Sequence, residues 1–206
     1  MGMGEDILVV KKELLFRKKQ FKGFIPIEEE NFLPVILENL YYQKRTDELE
    51  RNEEIQQPIP YVWLVNPEKK QIFLYKRSKT GNEGRLYDKY SGGVGGHIDR
   101  STEGNSQDPV YDAMMRELKE EVYLRDYPTP KVIGFIKLDG GVEAVHFGIV
   151  AIAHTSEEPK PAEDMDFGRF YSLEEAIAVL ENPSANIEKW TQISWPAVKK
   201  IVLQSI

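Results

Sequence analysis

The pattern of hydrophobic and polar positions becomes regular after residue 57. Residues 61–65 and 72–75 are apolar, β-prone runs separated by the turn-like stretch NPEKK, which predicts a β-hairpin. KVIGFIKLD and AVHFGIVAIAH read as two further strands joined at GG. Strands on both sides of one helix, with more helix near the C-terminus, predict a mixed α/β domain rather than a helical bundle or a β-sandwich.

The C-terminal part of the chain carries helix signals. In SLEEAIAVLEN, Ser172 is followed three residues later by Glu175, which predicts a capping box at a helix start. The tail NIEKWTQISWPAVKKIVLQSI is also predicted to be helical, with Pro196 restarting or kinking it.

Residues 1–57 have a less regular pattern. ILVV predicts a short strand, NFLPVILENLYY a helical or irregular segment, and the charged stretch QKRTDELERNEEIQQ an exposed connection. The segment is too short and too charged for a core of its own. We therefore expect an N-terminal extension, 1–57, that packs on a main domain, 58–206, or contributes to a homodimer contact.

A candidate chemical site lies in YDAMMRELKEEVYL, residues 111–124. Because a helix turns by about 100° per residue, one apolar stripe is predicted to face the core, formed by Tyr111, Met114, Met115, Leu118 and Val122. Glu117, Glu120 and Glu121 fall on a separate flank with Ala113. Like charges at this spacing repel by a few tenths of a kcal/mol. The flank therefore needs either cations or solvent.

Two interpretations of this flank remain open from the helix alone. Arg116 can pair with Glu120, and Glu121 with Arg125, so the charges could form an ordinary solvated face. Alternatively, the three carboxylates could form a metal site. The surrounding sequence has to distinguish the two.

Composition narrows the classes of function. The chain has 206 residues, a net charge of -7 and no cysteine, and its calculated pI is about 5.2. The acidic balance argues against broad binding to nucleic acid or to an anionic membrane surface. Lack of cysteine excludes disulfides, thiolate metal sites and a cysteine nucleophile, and it fits a cytoplasmic protein. No apolar run has the length needed to span a bilayer.

The helix is preceded by a glycine-rich stretch, and the two together resemble a known family. GGVGGHIDRSTEGNSQDPVYDAMMRELKEE is similar to the Nudix hydrolase box, G-x5-E-x7-R-E-U-x-E-E-x-G-U, where U is a bulky aliphatic residue. Gly96 fits the opening glycine, and the second half of the box stands at the required spacing: Arg116, Glu117, Leu118, Glu120, Glu121 and Leu124. The resemblance covers residues 58–182 and implies an α/β/α sandwich with a mixed sheet.

The sequence departs from the box at three places. Asp108 stands where the family has glutamate, and eleven residues rather than five separate it from Gly96. Tyr123 replaces the final glycine and lacks its freedom at positive φ. We expect the inserted loop to reshape substrate access and Tyr123 to alter the helix exit. None of these changes removes the three glutamates.

The resemblance implies roles for particular residues. Mg²⁺, with Mn²⁺ as a substitute, would be held by the Gly96 backbone region, Glu117, Glu120 and Glu121, because a hard cation prefers oxygen ligands. Arg116 would hold a box carboxylate by a bidentate contact. The general base would be Glu120 or, from a later loop, Glu163, with Asp164 and Asp166 equally close in sequence. For these three loop acids, a solvated loop is the competing interpretation.

Substrate contacts are predicted from charge and position. An acidic protein that binds a phosphorylated small molecule needs local positive charge, which Arg77 or Arg85 in the basic loop could supply. His97, beside the glycines, could contact phosphate or metal, or make a structural hydrogen bond.

Three functions compete. The leading hypothesis is Mg²⁺-dependent hydrolysis of a nucleoside diphosphate linked to another moiety. The alternative is a catalytically weak or inactive module that binds a nucleotide or sugar-nucleotide as a regulator. RLYDKYSGGVGGHI also resembles isopentenyl-diphosphate isomerase, but the cysteine used by that enzyme is absent here. The intact glutamates favour the hydrolase.

Overall fold

A computed structural model describes residues 2–77, 89–162 and 165–204. The chain forms two compact units. Unit 1 contains residues 1–61, 95–114 and 132–151, and unit 2 contains residues 62–94, 115–131 and 152–206. Over the described residues, no helix is both long and apolar enough to cross a membrane.

The strands confirm the mixed α/β prediction. They are β1 (Asp6–Lys11), β2 (Gly23–Pro26), β3 (Tyr41–Lys44), β4 (Ile55–Asn66), β5 (Gln71–Arg77), β6 (Tyr90–Ser91), β7 (Gly93–Val94), β8 (Val122–Tyr123), β9 (Lys131–Lys137), β10 (His146–His154), β11 (Lys160–Pro161) and β12 (Met165–Ser172). Ten of them form one sheet, and β8 pairs with β11 separately. The predicted hairpin is β4–β5, with Val65 opposite Ile72.

The sheet contains both strand directions. Most neighbours are antiparallel, such as β2 with β9 in unit 1 and β5 with β12 in unit 2. The β4 and β10 strands run parallel, because Gln57 bonds Val145 near their beginnings and Thr155 bonds Val65 near their ends.

In the described part of the chain, six α-helices accompany the strands. They are α1 (Lys12–Leu15), α2 (Leu33–Asn39), α3 (Arg100–Glu103), α4 (Pro109–Glu121), α5 (Leu173–Leu180) and α6 (Lys189–Gln204). Short 3-10 helices occur at Leu49–Arg51 and Gly141–Ala144. The predicted capping box of Ser172 and Glu175 opens α5, and Pro196 lies inside α6.

Unit 1 has an aromatic core that includes residues from the N-terminal extension. Phe16 and Phe32 pack edge-on against Phe147 of β10, with ring centroids 5.8 and 5.3 Å apart. Phe135 of β9 completes the contact with Phe32 at 5.2 Å. Edge-to-face pairs of this kind add to the stabilisation from burial itself. Residues within 1–57 therefore share a core with β9 and β10.

Unit 2 is built around two tryptophans. Trp63 of β4 is fully buried, and its ring stacks on Trp195 of α6 at 6.2 Å. Its indole N–H donates to Ser194 Oγ at 3.1 Å, so the buried polar atom is satisfied. A Cβ at Gly92 would overlap the Trp63 ring, which explains a glycine at this position.

The predicted apolar face of α4 is partly wrong. Leu118 and Met114 are buried as expected, but Tyr111 is 36% exposed, whereas Ala113 of the predicted polar flank is fully buried. The helix also ends at Glu121, so Val122 is buried in β8 instead. The inward face is thus rotated toward Ala113 and the position one turn later, Glu117.

Candidate active site

The charged cluster of α4 is organised around Arg116. Its Nη1 donates to Oε1 of Glu117 at 2.7 Å and to Oε2 of Glu120 at 2.9 Å. One guanidinium nitrogen thus bridges two carboxylates. Glu121 follows as the last residue of the helix and is half-buried. The structure therefore brings the predicted arginine and glutamates together on one helix.

Glu117 and Glu120 lie in different environments. Glu117 is only 6% exposed, whereas the Glu120 side chain is 57% exposed. Burial is the main cause that raises the pKa of Glu117, the negative charge of Glu120 raises it further, and Arg116 opposes both. A solvated helix face does not account for a buried carboxylate.

These residues fit a divalent cation. Arg116 supplies one positive charge against the three carboxylates Glu117, Glu120 and Glu121. A buried carboxylate beside two others is expensive to keep ionised unless a cation joins it. Clustered carboxylate oxygens are the ligands that Mg²⁺ prefers. The donor set therefore suits Mg²⁺ or Mn²⁺.

Asp108, which stands where the family box has its first glutamate, caps the N-terminus of α4. Asp108 Oδ1 accepts a hydrogen bond from the backbone N–H of Tyr111 at 3.0 Å, and its own N–H donates to Ser106 Oγ at 3.0 Å. An N-cap aspartate satisfies a helix N–H that would otherwise have no partner in the helix. Asp108 thus has a structural task at the start of α4.

Tyr123, which stands where the family box has its final glycine, lies in extended backbone. Tyr123 is in β8, opposite Lys160, and its side chain is exposed. Among the described non-glycine residues, only Lys70 and Phe167 have positive φ. The chain therefore leaves α4 without the left-handed residue that a glycine normally supplies.

The inserted loop is ordered around α3. Asp99 accepts from the N–H of Ser101 at 2.7 Å, and its own N–H donates to Glu103 at 2.8 Å. These hydrogen bonds give each of the two buried carboxylates a backbone partner. Gly95 precedes the loop, and a Cβ there would overlap the Pro60 carbonyl oxygen. Gly96, the predicted metal-site glycine, is half-buried beside it.

The other predicted site residues have different outcomes. His97 is buried in unit 1, with Nε2 2.8 Å from Gln57 Oε1, and burial lowers its pKa well below 6.5. Arg77 ends β5, but its side chain is outside the described part of the structure. Arg85 and Glu163 lie outside the described residues altogether.

Unit 2 contains a cavity of about 410 Å³ that sequence reasoning missed. This volume is within the range of small-molecule sites. Its lining combines two cations with three aromatic rings: Lys76, Tyr90, Phe167, Gly168, Arg169 and Tyr171. Such a lining suits a ligand that carries both negative charge and a flat ring.

Phe167 is the unusual residue of this cavity. Its φ is 56°, and its side chain is 79% exposed. The β5–β12 register shifts between Asp166 and Arg169, so Phe167 lies where the strand pairing is irregular. Backbone strain at an exposed aromatic residue is typical of ligand-binding positions.

The cations of the cavity are held over aromatic rings. Arg169 lies 3.8 Å from the centre of the Tyr171 ring and pairs with Glu175 at 3.0 Å. Lys76 lies 4.7 Å from the centre of the Tyr90 ring. The signal that could have revealed this site was FGRFYS, an aromatic–cation alternation on one strand.

Comparisons with known proteins give consistent matches. The sequence model of the NUDIX domain matches residues 56–193. Protein YmaB of Bacillus subtilis (strain 168) is 32% identical over 157 residues, covering 72% of this chain and 75% of YmaB. The crystal structure of Tm1382, a candidate Nudix hydrolase, has 27% identity and a TM-score of 0.74, covering 96% of this chain and all of Tm1382. The MutT protein from Methanosarcina mazei Go1 shares the fold, with a TM-score of 0.50 and 16% identity. The match covers 71% of this chain and 94% of the MutT chain.

Proposed function

Because this chain belongs to the Nudix hydrolase family, we propose that it hydrolyses the diphosphate linkage of a nucleoside diphosphate joined to another moiety. The observation that carries this proposal is the Arg116 bridge between buried Glu117 and exposed Glu120. A purely structural salt bridge gains little from a second, solvated carboxylate. A metal-dependent hydrolase uses both, one to hold the cation and one to contact water.

Glu117, Glu120, Glu121 and the Gly96 backbone region would hold Mg²⁺ or Mn²⁺. When bound, the cation would screen the diphosphate charge and lower the pKa of a water ligand. Arg116 would keep the two carboxylates in register before substrate arrives. These assignments follow the matched positions of the family box.

The chain's own residues would then move one proton. The water oxygen forms a bond to phosphorus, the bridging P–O bond breaks, and the departing phosphate takes the electron pair of that bond. Glu120 is the first candidate to accept the water proton, because its exposed carboxylate is on the solvent side of the cluster. Glu163 is the second candidate.

The cavity of unit 2 is our candidate for the rest of the substrate. Tyr90, Phe167 and Tyr171 would contact the base or sugar, and Lys76 and Arg169 would contact phosphate. Arg77, Arg85 and His97 remain predicted substrate contacts. A homodimer and a cytoplasmic location also remain predictions.

A substrate panel tests the proposal. The purified chain is incubated with Mg²⁺ and nucleoside triphosphates, dinucleoside polyphosphates, ADP-ribose, NADH or sugar nucleotides, and released mononucleotide or phosphate is measured by chromatography. We expect turnover of at least one diphosphate-linked compound, reduced by orders of magnitude in Glu120→Gln. Glu174→Gln, which alters an exposed glutamate of α5, is the matched control.

The same panel separates the two competing functions. Calorimetry with each compound measures binding independently of turnover. Tight binding of a nucleotide without hydrolysis, in the presence of Mg²⁺ or Mn²⁺, would support the regulatory module and reject the hydrolase.

A further inference from the structure

Three side chains with metal-binding atoms lie together in unit 1. Glu50, His97 and His146 each place one such atom within 4.8 Å of the other two. They come from the 3-10 helix Leu49–Arg51, the loop after β7 and the start of β10. We propose that this triad binds one divalent transition-metal ion, with Zn²⁺ as the best-suited ion.

The triad is separate from the cluster of α4. It shares no residue with the segment from Arg116 to Glu121, which belongs to unit 2. The proposal therefore does not rest on the α4 carboxylates, although it gives His97 a metal-binding role in place of its predicted substrate contact. A second ion of a different chemical class would be present in the same chain.

The contacts around Glu50 hold its carboxylate in place. Arg45 Nε donates to Glu50 Oε1 at 2.7 Å, and the other oxygen, Oε2, lies 4.0 Å from His146 Nε2. That second distance is too long for a hydrogen bond. It is instead a separation that one shared ion could close.

The contact of His97 orients its ring in the way metal sites require. Nε2 lies 2.8 Å from Oε1 of the fully buried Gln57. If Nε2 carries the proton and donates it to Gln57, Nδ1 becomes the metal-binding atom. A hydrogen bond from the other ring nitrogen is the usual outer-shell support of a histidine ligand.

The dimensions of the triad allow coordination after small side-chain movements. Tetrahedral Zn²⁺ with bonds of about 2.0–2.1 Å places its ligand atoms roughly 3.3 Å apart. The Glu50–His146 pair, at 4.0 Å, must therefore approach by less than about 1 Å, and the other pairs, within 4.8 Å, by at most about 1.5 Å. The rings of His97 and His146 are already edge-to-face, with centroids 5.4 Å apart.

The ligand types select the ion. Two imidazoles and one carboxylate suit Zn²⁺ and its transition-metal neighbours, whereas Mg²⁺ prefers oxygen ligands only. Three protein ligands leave a fourth position for water or an anionic oxygen. The side chains of His146 and Glu50 remain 12% and 17% exposed, which gives an ion a route to the site.

Calorimetric titration tests the proposal. The full chain, without an affinity tag and stripped with a chelator, is titrated with Zn²⁺ and separately with Mg²⁺. We expect one Zn²⁺ per chain, and the same Zn²⁺ affinity in Glu120→Gln. Glu50→Gln, His97→Gln and His146→Gln should each weaken Zn²⁺ binding at least about tenfold, since loss of outer-shell partners alone costs about 10–100-fold.

Matched controls come from the same residue types. His154→Gln alters the third histidine, which is exposed at the end of β10, and Glu48→Gln alters an exposed glutamate two residues before Glu50. Both should keep the parent's Zn²⁺ affinity. The visible absorption of bound Co²⁺ in the parent gives a second readout that needs no variant to fold.

Two outcomes would overturn the proposal. Equal Zn²⁺ binding by the triad variants and the controls would mean adventitious binding. Loss of binding in Glu120→Gln, with binding retained in the triad variants, would place Zn²⁺ on α4. Thermal melting of each metal-free variant shows whether lost binding reflects lost folding.

Discussion

Arg116 donates a 2.7 Å hydrogen bond to Glu117, its immediate neighbour on α4. Adjacent helical residues point about 100° apart, so helix geometry alone does not place these two side chains in contact. The buried carboxylate of Glu117 thereby gains a cation. Arg116→Gln should lower the free energy of unfolding by about 1–3 kcal/mol at pH 7, because Glu117 loses a charged partner. Urea unfolding measures the loss.

The pH dependence of that loss distinguishes the ion pair from general packing. The pKa of Glu117 is raised above its unfolded value of 4.5, so its neutral form becomes populated as the pH falls. A neutral carboxyl does not need the guanidinium, and the destabilisation should shrink from pH 7 toward pH 4.5. Lys119→Gln, an exposed change on the same helix, should alter stability by less than about 0.5 kcal/mol. A loss that does not vary with pH would contradict the ion-pair explanation.

Metal binding to α4 can be measured without substrate. Added Mn²⁺ should raise the melting temperature of the parent by mass action. Glu117→Gln, Glu120→Gln and Glu121→Gln should respond much less, although their metal-free stability should equal or slightly exceed that of the parent. Removing one of three crowded carboxylates relieves repulsion of a few tenths of a kcal/mol. Differential scanning fluorimetry with and without Mn²⁺ gives both quantities.

Glu174→Gln serves as the control in these melts, because Glu174 is exposed on α5. It should keep the full Mn²⁺ response. If all four glutamate variants respond like the parent, the carboxylates of α4 do not bind metal, and the proposed reaction loses its chemical basis.

Substitutions at Phe167 can separate the backbone strain at this residue from the contact of its ring with substrate. Its φ of 56° disfavours any side chain with a Cβ. Phe167→Gly should therefore be more stable than Phe167→Ala by about 1 kcal/mol. Both variants should raise KM for the substrate found in the panel, because both remove the exposed ring from the cavity.

The paired comparison defines what would count against this role. Unchanged KM in both variants would show that the ring does not contact substrate. Equal stability of the two variants would show that the backbone at this position is not strained. Equilibrium unfolding and steady-state kinetics on the same preparations provide both answers.

Lys137 provides a prediction at alkaline pH. It is 6% exposed, and its ammonium group donates to the carbonyl of Ala144. Burial lowers its pKa from 10.5 to about 8. The unfolded chain therefore binds more protons than the folded chain between these values, and the Lys137 contribution to stability rises with pH across this window. Lys137→Met should remove this rise, on the order of 2 kcal/mol after a discount for partial solvent access.

The experiment compares urea unfolding at pH 7.5 and pH 10 for parent and variant. Lys131→Met, an exposed lysine at the other end of β9, is the control and should keep the parent's pH dependence. A parent and a Lys137→Met variant with the same pH slope would contradict the lowered pKa.

Local pattern was sufficient for most of the fold. The β4–β5 hairpin and the α5 capping box were predictable because their signals lie within a few residues. The inward face of α4 was less predictable. Hydropathy placed Tyr111 inside and Glu117 outside. The structure instead exposes Tyr111 and buries Glu117, although burial of a carboxylate carries a desolvation cost. Tertiary contacts that a helical wheel does not contain decide that rotation.

The charged stretch 43–57 illustrates a second limit. It was expected to be an exposed connection, but Leu49, Gln56 and Gln57 are buried. Glu50 lies close to two histidines that are far from it in the sequence. Composition alone cannot reveal such a cluster, because its members come together only through the pairing of separate strands. The unit 2 cavity has a local signal in FGRFYS, but Lys76 and Tyr90 join it only through the pairing of β5 with β12 and β6.

The inserted loop and the N-terminal strand hold each other in place. Ile7 of β1 bridges to Asp99, and the N–H of Leu8 donates to the carbonyl of Ile98 at 2.8 Å. Asp99 also begins the α3 capping arrangement, so loss of the insertion would remove one set of contacts of β1, which pairs with β3 and β4 as well. In evolutionary terms, the two additions to the domain should be inherited as a pair. Relatives with the short five-residue loop should lack a strand equivalent to β1, and a survey of related sequences can check this co-occurrence.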